Sequence, residues 1–227
     1  MIAVRQLTKA FRATTALAGV DLEIGRGECL AIVGSHGSGR TTLLRILATL
    51  MRPTSGRVAI NGLDIASDLS QVRPLVAYSG HDRIDGNGLR VDEYLRFVAS
   101  ARKRPVASAE SIAAIVGLDP RAPIATLAEA VQPRLALAAA LVASPAVLLL
   151  DEPFHLLDAG PRPGFVRWLL AARDAGATIV LSASVADDVS ELCQRVARLE
   201  AGRIVDVDAS HRAVSAIDSR PPELVGA

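Results

Sequence analysis

The chain has 227 residues, enough for one large domain or for a core with an inserted subdomain. Hydrophobic residues make up 50%, mean hydropathy is +0.32 and the formal net charge is +1, so no bulk basic field points to nucleic acid. The longest near-apolar run, residues 135–150, holds Ser144 and Pro145 and stops at Asp151 and Glu152. That is short of the about 20 apolar residues of a membrane span, so it reads as a buried helix followed by a buried strand. In chain order, Met1-Ile-Ala-Val-Arg-Gln lacks an apolar signal core, and no leader is read there. Val20-Asp-Leu-Glu-Ile24 alternates like a half-exposed strand, whereas Cys29-Leu-Ala-Ile-Val33 is apolar throughout, like a strand covered on both faces. Residues 41–50 place Leu43, Leu44, Ile46, Leu47 and Leu50 on one helical face. Strands follow at 58–60, 75–78, 147–150 and 178–181. Between Arg90 and Ala143 the pattern is mostly helical, with breaks near Pro105, Gly117-Leu-Asp-Pro120 and Pro133. A helical subdomain of about residues 82–145 inserted in a mostly parallel α/β core is the expected architecture. Residues 219–227 read as a loose tail. Cys29 and Cys193 lie far apart in apolar stretches, make no metal spacing, and read as buried free thiols in a reducing compartment.

Two motifs carry chemistry. The first is Gly34-Ser35-His36-Gly37-Ser38-Gly39-Arg40-Thr41-Thr42, between a buried strand and a helix. Glycines at 34, 37 and 39 let backbone N–H groups turn inward around phosphate oxygens, and the helix that follows adds its positive end. The pattern is that of a P-loop, with the Thr41 hydroxyl placed for Mg²⁺. Arg40 stands where the pattern asks for lysine. Its charge and donors suit phosphate, but it is longer, planar and less able to act as a compact charge between β- and γ-phosphates. The second motif is Val147-Leu-Leu-Leu-Asp151-Glu152-Pro153, a buried strand ending in two carboxylates. In open α/β sheets ligands bind at that end of the strands. Asp151 there can serve the Mg²⁺ shell, and Glu152 can polarise a water for in-line attack. Taken alone, the pair could also be two acids capping a helix.

Over almost its whole length the chain resembles the ATP-binding subunits of ABC transporters. The resemblance rests on Ala16-Leu-Ala-Gly-Val-Asp-Leu-Glu-Ile-Gly-Arg-Gly-Glu28 before the phosphate loop and on Arg52-Pro-Thr-Ser-Gly-Arg-Val-Ala-Ile-Asn-Gly-Leu-Asp64 after it. Arg195-Val-Ala-Arg-Leu-Glu-Ala-Gly-Arg-Ile-Val205 resembles the family's closing hairpin. The resemblance implies a P-loop NTPase core with a mostly parallel sheet, an N-terminal antiparallel β subdomain and an inserted helical subdomain, forming one ATP-binding domain over residues 1–218. It implies ATP and Mg²⁺ as cofactors, with Thr41 and Asp151 on the metal and Glu152 as catalytic base. Phe11 falls where the family stacks an aromatic ring on adenine; an edge-strand core residue is the alternative. Leu156-Leu-Asp158 matches the loop that crosses to a second ATP-binding subunit, identical or paralogous. Membrane-spanning permease subunits would be the other partners and would hold the chain at the cytoplasmic, inner face of the cell membrane.

The chain also departs from the family's pattern. The signature that faces the partner's nucleotide, usually Leu-Ser-Gly-Gly-Gln, aligns with Leu127-Ala-Glu-Ala-Val131. A unit charge 4 Å from another is worth about 4 kcal/mol at an effective dielectric of 20, more than one good hydrogen bond returns. Glu129 facing a γ-phosphate would therefore oppose binding. Thr126-x-x-Glu129 also fits a capping box, which would turn Glu129 onto its own backbone, but Pro133 would then clash inside that helix; a helix beginning at Pro133 is easier to build. The family's histidine after the strand at 178–182 is replaced by Ser184, and its glutamine aligns with His81. None of His36, His81, His155 and His211 falls at the Ser184 position. The functional expectation is an energy-coupling subunit, exporter-type by the character of Val91-Asp-Glu-Tyr-Leu-Arg-Phe-Val98, with weakened ATP hydrolysis. The alternative is a catalytically degenerate structural or regulatory subunit paired with an active paralogue. A kinase, GTPase or repair ATPase fits poorly: there is no guanine-reading Asn-Lys-x-Asp, no zinc spacing and no second ATP-binding half.

Overall fold

A computed structural model describes residues 2–81, 84, 86, 88–103, 109–184, 189 and 192–209. The expected break at Pro105 and the tail at 219–227 lie outside them. The strands are β1 (Ile2–Phe11), β2 (Thr14–Ile24), β3 (Cys29–Val33), β4 (Ser55–Ile60), β5 (Leu63–Asp64), β6 (Val76–Ser79), β7 (Val147–Leu150), β8 (Thr178–Ala183), β9 (Arg195–Glu200) and β10 (Arg203–Ala209). The helices are α1 (Arg40–Leu47), α2 (Leu69–Val72), α3 (Val91–Ala101), α4 (Ala109–Ile115), α5 (Gln132–Val142) and α6 (Arg162–Asp174).

β2, β1, β4 and β5 form an antiparallel sheet in that order. The second sheet runs β10-β9-β3-β8-β7-β6 and is parallel except for the β9–β10 hairpin. This is the α/β fold expected, with its N-terminal antiparallel sheet. Side chains of successive strand residues point to opposite faces, and the parallel sheet divides the core accordingly. Cys29, Ala31, Val33, Leu148, Leu150, Ile179 and Leu181 join the cluster built on α3, α4, α5 and α6. Leu30, Ile32, Val147, Leu149 and Val180 join α1 and the antiparallel sheet on the other side. Burial on both faces is why β3 and β7 are apolar without alternation.

Of the two readings around Pro133, the helix start is the one found: the chain is non-helical over residues 127–131, and α5 begins at Gln132, one residue earlier than expected, with Pro133 in its first turn, where a missing N–H costs no hydrogen bond. The capping box at Thr126 does not form. Ile124–Thr126 is a 3₁₀ turn, the Thr126 hydroxyl donates to the Pro123 carbonyl oxygen (2.8 Å), and Glu129 lies exposed in the turn entering α5.

Candidate functional site

The parallel register brings four strand ends to one edge. β3 ends beside β8, β8 beside β7, and β7 beside β6, so the residues after Val33, Ala183, Leu150 and Ser79 come together. This is the edge at which open α/β sheets bind ligands. Loop 34–39 leaves β3 and turns directly into α1. The loop is braced from behind: the Gly202 N–H in the β9–β10 turn donates to the Ser38 carbonyl oxygen (3.0 Å). A Cβ at Gly34 would run into the Leu199 carbonyl oxygen. Gly39 caps α1 at φ 108°, a conformation L side chains rarely adopt.

A cavity of about 320 Å³ opens over this loop. It brings together Ser35, His36, Gly37, Ser38, Gly39, Arg40, Thr41 and Thr42 with His81 and Glu152. Gly34, Asp151 and Phe11 are not among the residues that line it. Asp151 is almost fully buried; its Oδ1 accepts from the Ser182 hydroxyl (2.6 Å) and its Oδ2 from the Tyr78 hydroxyl (3.4 Å). Phe11, 43% exposed at the β1–β2 turn, has the Lys9 ammonium 4.9 Å from its ring centroid. One face of that ring is thus taken by a cation.

A test of phosphate fit comes from Ser38. Its hydroxyl is buried and finds no hydrogen-bond partner among the described residues, and an unsatisfied buried hydroxyl is costly. The open face at Gly37, where a Cβ would meet nothing within 4 Å, adds room. The loop therefore suits an anionic, oxygen-rich group. For Mg²⁺ the donors would be the Thr41 hydroxyl and Asp151, a small oxygen set of the kind that ion completes with substrate phosphates and water. Among the described residues no group of three or more His, Cys, Asp or Glu is arranged to hold a metal by itself.

Arg40 does not face the open cavity as a free cation. Only 7% of its side chain is exposed. Its guanidinium donates to the carbonyl oxygens of Gly34 and Ala183 (the latter at 2.7 Å) and is ion-paired with Glu152 Oε1. Lysine has a single ammonium and could not span these acceptors from one planar fork. Glu152 is held from three further directions. Its N–H donates to Ser182 Oγ (2.9 Å), the Ser184 hydroxyl donates to Oε1 (3.4 Å), and His155 Nδ1 lies 3.1 Å from Oε2. A carboxylate has only acceptors, so the imidazole proton sits on Nδ1 in this contact. Glu152 itself has φ 47°, unusual for a residue with a side chain.

Sequence reasoning missed Ser182 and His155. A hydroxyl inside the apolar stretch Ile179-Val-Leu-Ser-Ala183 is a signal that could have found the first. His155 gave none, because its reach to Glu152 depends on the 3₁₀ turn Pro153–Leu156. The Ser182 hydroxyl serves both acids at once. Ser182→Ala removes the partner of Asp151 Oδ1 and leaves the Glu152 N–H unpaired; we expect a loss of about 1–3 kcal/mol in stability by denaturant titration. Of the departures, Ser184 touches Glu152, whereas Leu127-Ala-Glu-Ala-Val131 forms the approach to α5 and does not line the cavity.

Fold, phosphate loop and paired acids together define a P-loop nucleotide-binding cassette. Residues 17–155 match the ABC transporter family, and the chain belongs to that family. It is 40% identical over 217 residues to the sulfate/thiosulfate import ATP-binding protein CysA of Xylella fastidiosa, covering 91% of this chain and 62% of that protein. A putative ABC transporter ATP-binding protein of Halobacterium salinarum is 34% identical over 213 residues, covering 90% and 91% of the two chains. The solved structure of an ATP-binding subunit of an ABC transporter superposes with a TM-score of 0.81 at 22% identity, over 96% of this chain and 93% of that one, a likeness of fold. The chain thus spans 62% of the length of the sulfate/thiosulfate relative. Among the described residues no helix is long and apolar enough to cross a membrane.

Proposed function

We propose that the chain is the ATP-binding, energy-coupling subunit of an ABC transporter, that it binds ATP with Mg²⁺, and that it hydrolyses ATP slowly. Family membership, the phosphate cradle and the unpartnered Ser38 hydroxyl support binding. The observation that carries the slow turnover is the ion pair between Arg40 and Glu152. A general base must accept a proton from the attacking water. The Glu152 carboxylate is shared with a guanidinium, an imidazole and a hydroxyl, and Arg40 is committed to that carboxylate. Bound Mg²⁺ would neutralise phosphate charge, with Thr41 and Asp151 as the residues that hold it. Phe11 supports adenine stacking and His81 a contact at the cavity mouth.

In this reading residues 1–218 act as one domain, with a helical subdomain near 82–145. It acts as a dimer, with an identical or paralogous ATP-binding chain, beneath membrane-spanning permease subunits at the inner face of the cell membrane. Leu127-Ala-Glu-Ala-Val131 would then face the partner's nucleotide without the serine and glycines of the usual signature. Direction of transport is a property of the membrane-spanning chains. Val91–Val98 supports outward movement, and relatives named for import support inward movement. The second reading, a structural or regulatory subunit beside an active paralogue, is favoured by Arg40 and Ser184 and opposed by the retained Glu152.

The test is ATP hydrolysis by the chain assembled with its membrane partners, with Glu152→Gln as control and nucleotide binding measured in parallel. A slow rate that falls to background in Glu152→Gln supports slow catalysis at this site. Equal rates with nucleotide retained support the structural reading. Failure of both proteins to retain nucleotide overturns ATP binding.

A further inference from the structure

We propose that Cys29 and Cys193 form a reversible intrachain disulfide that ties the first residue of β3 to the segment entering β9. The sequence alone gave no reason to join them: they are 164 positions apart. In the fold their sulfur atoms lie 2.9 Å apart and both side chains are buried, at 0% and 2% exposure. They are held there by hydrogen bonds that do not involve the thiols. The Cys29 N–H donates to Gln194 Oε1 (2.8 Å), the Gln194 N–H donates back to the Cys29 carbonyl oxygen (3.0 Å), and the Cys193 N–H is fixed to the Val189 carbonyl oxygen (3.0 Å). Both cysteines belong to the core cluster on the α3–α6 side of the parallel sheet. Closing the bridge shortens the 2.9 Å between the sulfur atoms to a bond of about 2.05 Å, a displacement of side-chain size.

The oxidant is a low-molecular-weight disulfide such as oxidised glutathione. One cysteine thiolate attacks a sulfur of the reagent, forming a mixed disulfide and releasing one reagent thiolate. The second cysteine gives its proton to solvent and attacks the mixed disulfide, and the second reagent thiolate leaves. Two electrons pass from the cysteine pair to the reagent, which becomes two thiols. Burial pushes the Cys193 thiol well up, and its hydrogen bond with Cys29 adds to that. Little thiolate is available, and the reagent enters only when the site opens locally, so the bridge closes and reopens slowly. It is a latch that sets over long exposure rather than a fast sensor. Its position suits bracing: β3 runs from Cys29 into the phosphate loop, and the β9–β10 turn supports that same loop through Gly202 and Ser38.

The chain has two cysteines, so any intrachain disulfide must join this pair. The full chain is incubated with oxidised glutathione, with and without low urea to speed local opening. Thiols are then titrated under denaturing conditions, and species are separated without reductant and weighed by mass spectrometry. The expected result is loss of both thiols, a monomer lighter by two hydrogens, and a Tm higher by about 5–10 °C that returns to its starting value with dithiothreitol. Cys29→Ala, or Cys193→Ala if the first does not fold, shows no such rise. Thiols that persist in both conditions, a glutathione adduct or an interchain dimer in place of the bridge, or a bridge that leaves Tm unchanged or lower, each overturn the proposal.

Discussion

Arg40→Lys raises ATP hydrolysis by the assembled protein at least about tenfold. The residue sits one position into α1, and its guanidinium reaches the Gly34 and Ala183 carbonyl oxygens and the Glu152 carboxylate together. A lysine at this position keeps the positive charge but loses the planar fork, so it cannot satisfy all three acceptors at once. Its compact ammonium is free to turn to phosphate oxygens, and Glu152 is released toward water. A positioned general base contributes about 10²- to 10⁴-fold, and a tenfold gain claims only part of that because Ser184 and the altered signature remain. Steady-state phosphate release is the measurement, with Ser184→His added in a second variant. A rate unchanged or lowered by Arg40→Lys would mean that the ion pair does not hold catalysis back and that the limit lies with the partner-facing residues.

The second large effect concerns Gly39→Ala. A Cβ there meets the Ala16 carbonyl oxygen inside contact distance and Leu17 Cδ2 at 3.0 Å, on a backbone already at φ 108°. Backbone strain and overpacking together cost about 3 kcal/mol, a fall in Tm of about 6–12 °C. Nucleotide affinity drops by at least tenfold because α1 and the loop N–H groups move together. Gly37→Ala is the comparison. Gly37 also has positive φ, at 78°, but a Cβ there meets nothing within 4 Å, so only the backbone cost of about 1–2 kcal/mol remains. Thermal denaturation and titration with a fluorescent ATP analogue measure both variants. Equal losses for the two would show that the close approach of Ala16 to the loop is unimportant.

Much of the fold was legible because its signals are local. Val147–Leu150 and Cys29–Val33 are uninterrupted apolar runs, which a strand covered on both faces requires, and glycines and paired acids follow them directly. Thr126 shows two local rules competing, with the proline rule deciding. Its spacing to Glu129 satisfies a capping rule, yet Pro133 makes Gln132 the easier start for α5, and the threonine caps an earlier turn instead. Length was read less well than position: β2 begins at Thr14, well before the alternating segment that revealed it, because pairing with β1 continues through residues that show no clean alternation.

The sequence by itself determined that a phosphate loop and a strand ending in Asp151 and Glu152 are present, since each is encoded within a dozen residues. The tertiary structure alone decided what those parts do to one another. It set Arg40 on Glu152 across 112 positions, Ser182 beneath both acids, His155 against the carboxylate, and Cys29 against Cys193. The physical reason is strand order. Periodicity says that β3, β7 and β8 are buried strands, but only the parallel pairing of β3 with β8 and of β8 with β7 says which strand ends are neighbours, and so which charges meet.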